Sequence, residues 1–195
     1  MKRLKIVPPV LLMFIMIFIS ACSNHNSDAV QSYKTVIHSD LLLVNYNKND
    51  LVRDADVIIR GIVKTQVVKK DFDHFPVTDT TIVVKKVYKG TPEQEVIVRT
   101  KGGQLEDTLH VPQNDAIPQF KKQDDVIVFL TNQTGDRPDK DQLGYYVVGQ
   151  IQGKFDVVKN KHLEGVKVEE YGFRLKELQD QIKVITIENE NNPPK

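Results

Sequence analysis

Few side chains in this 195-residue chain have types and spacings that could do chemistry. His25, His38, His74, His110 and His162 are scattered, with no two at a helical or CxxC-like spacing that suits zinc. They read as loop histidines in solvent. Two acidic groups stand out: Asp71, Asp73 and His74 in one loop, and Asp136, Asp139 and Asp141 in another. Calcium takes oxygen ligands from flexible acidic loops, and weak extracellular sites bind it at about 10⁻⁴–10⁻³ M. Neither loop has the Dx[DN]xDG order with a distal glutamate, and Arg137 and Lys140 dilute the second, so both read as solvated charged turns. There is no GxSxG elbow, and Gly102-Gly103 lacks the neighbours of a phosphate cradle. Acidic residues abound, but nothing singles out two as a glycosidase-like pair. These residues assign no catalytic site, metal or cofactor, and the chain reads as a non-enzyme.

Cys22 is the sole cysteine and closes Ile19-Ser20-Ala21-Cys22. Before it come Lys2, Arg3 and Lys5, then ten consecutive apolar residues from Val10 to Ile19, the layout of a secretory signal. The run is too short for a membrane span, which needs roughly 20 apolar residues, and Pro8 and Pro9 precede it. The tetrapeptide resembles the lipobox of bacterial lipoproteins, although Ile19 stands where leucine is commoner. In that family the thiol receives a diacylglyceryl group and cleavage leaves the cysteine at the new N-terminus. The resemblance implies a signal peptide over residues 1–21, acyl chains (palmitate or similar) on Cys22, and attachment to the extracellular face of a cell membrane. A buried methylene is worth about 0.8 kcal/mol and one chain alone binds marginally, so two or three chains hold firmly.

The composition after residue 21 narrows the function classes. That part has 24 basic and 26 acidic residues, a formal charge of −2, and contains no Met, no Trp and one Cys. An intramolecular disulfide is impossible, so packing alone must stabilise the fold. The near-zero charge argues against nucleic acid as a partner. Tyr88, Phe129, Tyr145, Tyr146 and Phe155 with Lys85, Lys86, Lys121 and Lys122 could form a stacking platform, but aromatics filling a core and lysines on the surface explain them better.

The elements that must position these residues follow from the pattern. Residues 22–48 are mostly polar and read as a flexible tether, interrupted by Leu41-Leu42-Leu43-Val44, which periodicity leaves open between strand and helix. Asn49 or Asp50 can cap a short helix that ends near Asp54-Ala55. Val57, Ile59, Val63 and Val67 share the parity of a long half-buried strand. Gly61 lies on the same face, where a missing side chain permits close approach. A loop over 69–76 leads to a strand over 77–88, in which the parity switch between Val84 and Val87 predicts a bulge near Lys85-Lys86. Val96–Val98 is a short strand, and residues 104–124 read as an irregular connection. Val126–Leu130, five apolar residues in a row, suits a strand covered on both faces. After a polar loop over 131–143, Tyr145–Gln150 and a segment after Gly153 pair back as a hairpin. Leu175, Leu178, Ile182 and Ile185 make one face of an amphipathic helix, and residues 188–195 read as a frayed tail.

Ala55–Val63, the run from Thr80 to Gly90 (TTIVVKKVYKG), Val96–Val98 and the run from Phe120 to Leu130 (FKKQDDVIVFL) together resemble netrin-like and TIMP-like domains. Secreted and lipid-anchored proteins of Gram-positive bacteria often carry cysteine-poor versions. The resemblance implies a mainly β fold: a small closed OB-like barrel of five to six strands over residues 49–187, with a short N-terminal helix and a C-terminal amphipathic helix. The protease-inhibitor mechanism of the eukaryotic members does not follow. It needs a free N-terminal cysteine amine and disulfides, and this chain offers neither. The expected function is a non-catalytic binding module at the cell envelope that engages another envelope protein or a peptide. Its surface would be loops 69–79 and 131–144 with Tyr145 or Tyr146, since strand alternation turns one ring outward. An ion- or small-ligand-binding barrel serving wall or uptake processes is the alternative, and an unrecognised hydrolase the third reading.

Overall fold

The structure, a computed structural model, describes residues 33–40, 42–112, 115–133, 135–139, 144–158 and 161–193. The lipobox residues Ile19, Ser20, Ala21 and Cys22 lie outside these residues, as do His25, Lys140 and Asp141. In chain order the elements are β1 (Thr35–Ser39), α1 (Lys48–Asp54), β2 (Val57–Lys70), β3 (Pro76–Lys89), β4 (Glu95–Lys101), β5 (Gly103–Leu105), β6 (Thr108–Pro112), β7 (Asp125–Thr131), β8 (Tyr146–Val147), β9 (Lys154–Val157), β10 (Leu163–Glu164), α2 (Val168–Tyr171) and α3 (Leu175–Asn191). Among the described residues, ten strands form two sheets. The larger has the order β10-β9-β7-β2-β3-β4 with β8 paired to β7, and the smaller the order β1-β6-β5.

The apolar run in β7 makes it a wall between two cores, as its pattern predicts. Ile127 and Phe129 point to one side, where Ile58, Phe155, Tyr171 and the apolar face of α3 (Leu175, Leu178, Ile182, Ile185) pack with Leu51 and Val52 of α1. Val126, Val128 and Leu130 point to the other, inside the curl of the sheet, with Val57, Ile59, Val63, Ile82, Val96, Val98 and Phe120. Adjacent residues of a strand face opposite ways, so two apolar layers require an unbroken apolar run. Gly61 lies on the inner face. A Cβ there would sit 2.5 Å from Ile82 Cγ2 and 2.6 Å from the Val83 carbonyl oxygen, so only glycine lets β2 and β3 close this tightly.

The closed barrel is not formed. The large sheet curls, but among the described residues only one isolated parallel bridge, Val98↔Tyr145, joins the edge of β4 to the chain entering β8. The Tyr145 N–H donates to the Ile97 carbonyl at 2.7 Å, and the Arg99 N–H to the Tyr145 carbonyl at 2.8 Å. The physical reason is length: β8 has two residues, and the left-handed Gly149 then turns the chain into a single 3-10 turn over Gln150–Gly153. Two hydrogen bonds make a seam where a barrel needs a ladder.

Other boundaries shift as well. The compact unit begins at Tyr33, within the span expected to be tether, because Thr35–Ser39 adds to β6 as a parallel strand. Residues 103–112 form the β5–β6 hairpin inside the expected irregular connection. Leu42, Leu43 and Val44 are exposed and belong to neither strand nor helix. Asn47 caps α1, with a reciprocal capping box to Asp50. The register of β2 and β3 skips Lys85, matching the expected bulge. It also skips Tyr88, whose ring joins the helix side while Val87 stays exposed. Val67 is exposed too, since the pairing of β2 with β7 ends at Ile62↔Asp125. The segment after Gly153 becomes β9, which pairs with β7 and β10 and not with β8. Helix α3 continues to Asn191, through residues expected to fray.

Candidate functional site

The far arm of the β2–β3 hairpin carries the densest set of polar interactions among the described residues. Its turn is built by short-range bonds: the Asp71 N–H donates to the Phe75 carbonyl at 2.9 Å, and the Phe75 N–H to Asp73 Oδ1 at 3.1 Å. This aims the Asp71 carboxylate back over the sheet. Asp79 on β3 stands opposite Arg99 on β4 in the ladder. Arg99 Nε donates to Asp79 Oδ1 at 2.7 Å and Nη2 to Oδ2 at 2.9 Å, a bidentate pair, while Nη1 reaches Asp71 Oδ1 at 3.1 Å. Lys69 Nζ lies 3.1 Å from Asp79 Oδ2.

The loop between β7 and β8 closes over this pair. Arg137 Nη2 donates to Asp71 Oδ1 at 2.5 Å, and Arg137 Nε to Asp139 Oδ1 at 3.1 Å. Its guanidinium stacks 4.3 Å from the centre of the Phe72 ring and lies 5.9 Å from that of Tyr146. The side chains of Asp71, Asp79 and Arg99 are 7%, 8% and 11% exposed, so little solvent reaches the clasp. Three carboxylates (Asp71, Asp79, Asp139) balance three cations (Lys69, Arg99, Arg137).

These contacts set the protonation states. Burial works against ionisation of Asp79, but the hydrogen bonds from Arg99 and Lys69 outweigh it and hold the carboxyl below its ordinary value. The bonds from Arg137 do the same for Asp139. Arg99 is pushed up by its bonds to Asp79 against the cost of burial. Burial pushes the Tyr146 phenol up, partly offset by the positive charge of Arg137. The Tyr146 hydroxyl is buried with no hydrogen-bond partner among the described residues.

The two acidic loops noted in the sequence thus meet, but interleaved with arginines. Asp71, Asp79 and Asp139 are each paired with a cation, so the charge of these three is spent on Arg99, Arg137 and Lys69. Among the described residues no group of three metal-ligating side chains converges anywhere. Tyr145 and Tyr146 do turn to opposite sides. Tyr145 packs on the inner core and Tyr146 is half-buried beside Arg137, so neither ring is an exposed contact. Beside the clasp the exposed aromatics are instead Phe72 and Phe75 at the hairpin tip, 46% and 44% exposed; Phe173, before α3, is exposed as well. A cavity of about 400 Å³ lies beside the clasp, lined by Arg137, Tyr146, Thr131, Gln133, Tyr46 and Gln150.

The remaining candidates separate. His38, His74 and His162 are exposed, and His110 is buried. Phe129 and Phe155 are wholly inside the helix-side core and Tyr88 packs partly against it, so the aromatics form no stacking platform. Reading the sequence missed Arg99 and Asp79. The available signal was one charge inside each of two otherwise Val/Ile/Thr-rich strands (Val77–Val84 and Val96–Thr100), which predicts mutual pairing. No protein-family model matches the chain, and no curated protein is significantly similar to it.

Proposed function

We propose that this protein is a lipid-anchored extracytoplasmic lipoprotein of a Gram-positive envelope whose folded unit is a non-catalytic binding module. The observation that carries the anchoring is Ile19-Ser20-Ala21-Cys22 behind a basic segment and ten apolar residues. No helix among the described residues is long and apolar enough to cross a membrane, so the acyl group supplies the attachment in this reading. The contact surface is the rim formed by the hairpin tip and the β7–β8 loop. A paired, buried clasp gives that rim fixed geometry at little entropic cost on binding. Phe72 and Phe75 supply exposed aromatic area of the kind that anchors protein and peptide partners.

The test has two arms in the producing cell. Cys22→Ala is expected to abolish incorporation of labelled fatty acid and membrane retention; unchanged retention would remove the anchoring. Crosslinking of the lipidated protein is expected to capture a specific envelope protein or peptide, lost in a Phe72→Ser, Phe75→Ser double variant. Capture that survives this change would move the contact surface elsewhere.

A further inference from the structure

The first strand is attached unlike any other. β1 adds in parallel to the edge of β6, from Thr35↔Thr108 to Ser39↔Pro112, and ends the small sheet. It buries no side chain fully: Thr35, Val36 and His38 are exposed, and Ile37 and Ser39 half-buried. Its ion pair, Lys34 to Asp107 at 2.6 Å, joins side chains 82% and 59% exposed and contributes little. The segment to α1 has no regular structure among its described residues, and Leu42 within it is fully exposed. Backbone pairing and two side-chain anchors hold the strand.

Those anchors belong to the receiving surface. His110 of β6 is buried, with Nδ1 3.1 Å from the Pro76 carbonyl oxygen and Nε2 2.9 Å from Ser39 Oγ. The Pro76 oxygen can only accept, so Nδ1–H donates to it, while Nε2 and the serine hydroxyl bond each other. Tyr33 Oη donates to Gln104 Oε1 of β5 at 3.3 Å. The groove therefore reads a pattern: an aromatic hydroxyl, an aliphatic four residues later, and a hydroxyl two after that. An edge that offers a backbone ladder and alternate side-chain anchors is the apparatus of strand addition.

We propose that the β5–β6 hairpin is a binding site for an extended peptide strand of this pattern, and that β1 is its built-in occupant, displaced when a partner strand takes the edge. This surface adjoins the rim, since the Phe75 ring lies 5.7 Å from that of His110, but its own anchors are His110 and Gln104, and it is independent of what happens at Cys22. Because β1 is tethered, it competes at an effective concentration on the order of 1 mM, so the wild-type protein masks the site.

The test uses the full chain and a fluorescent peptide of the sequence 33–40, YKTVIHSD. Ile37→Pro removes a backbone donor and the aliphatic anchor from the middle of β1. The expected result is peptide binding on the order of a hundredfold tighter to Ile37→Pro than to wild type. Adding His110→Ala to Ile37→Pro weakens it. A disulfide between Thr35→Cys and Thr108→Cys, which locks β1 in place, abolishes it until reduced. A folded Ile37→Pro that binds no better than the locked form overturns the proposal. Hydrogen exchange on the wild type decides the matter if Ile37→Pro fails to fold. The β1 amides must open far faster than those of Val126–Leu130, and equal protection would show β1 to be a permanent strand.

Discussion

The two halves of the β2–β3 hairpin are held by different physics. At its root, Val57–Val63 lies between two apolar layers, whose buried members are Val, Ile, Leu and Phe with Ala55 and Tyr171. Along its far arm, Lys64–Lys70 has no helix behind it, and order comes from Arg99, Arg137 and three aspartates. The ion pair of Arg60 with Asp125 lies outside those layers with both side chains more than a quarter exposed, so the packing that holds the root is indifferent to proton activity. The arm depends on it, because a buried carboxylate stabilises only while it is charged. A long hairpin can thus have one end that sets stability and another that sets the shape of a rim.

Val128→Asp attacks the root most severely, since it buries an unpaired charge in the inner core, and it should leave the chain unfolded at 25 °C. Val84→Asp, at the partly buried margin of the same core, should be milder. If Val128→Asp melts like the wild type, the assignment of β7 as a two-faced wall is wrong. Phe129→Ala, on the helix side, should cost about 3–5 kcal/mol in urea denaturation, equally at pH 5 and pH 7. A pH-dependent loss there would break the contrast between root and arm.

Arg99→Ala tests the arm. It leaves Asp79 and Asp71 short of a cation and should cost about 3 kcal/mol at neutral pH. The folded-state pKa of Asp79 lies below its unfolded value, so its contribution is present above the ordinary 3.8 and fades as pH falls through the folded value. The gap between wild type and Arg99→Ala should therefore close on acidification, read as melting temperature from pH 6 to pH 2. A constant gap would mean that Arg99 acts by packing alone. The smallest effect is expected from Tyr171→Phe. It removes one hydrogen bond, from the buried hydroxyl to the Lys48 carbonyl at 2.7 Å, and should cost about 0.5–1.5 kcal/mol.

What could be read in the sequence divides along the same line. Periodic apolar residues face a layer and announce it: the α3 stripe, the β7 run, Gly61 and the bulge at Lys85 all took the places their spacing implies. Val67 and Val87 did not, because periodicity says nothing about where the opposing layer stops. Closure failed for a related reason. A seam depends on how many residues of β8 remain paired after Tyr145, a count set by the turn at Gly149 and not by any apolar pattern. Strand β1 was hidden because its order comes from backbone pairing and a hydroxyl–imidazole contact, which leave a polar composition unchanged. The clasp needed Asp71 and Arg137, 66 positions apart, to meet, and charge alone does not name its partner.

The position of β1 also bears on force. It is the first described element after Cys22, so in an anchored protein any pull between membrane and folded unit reaches its ladder before either core. Release of residues 33–47 would add about 50 Å of slack at once. Drag or wall movement would then lengthen the leash and leave the rim intact.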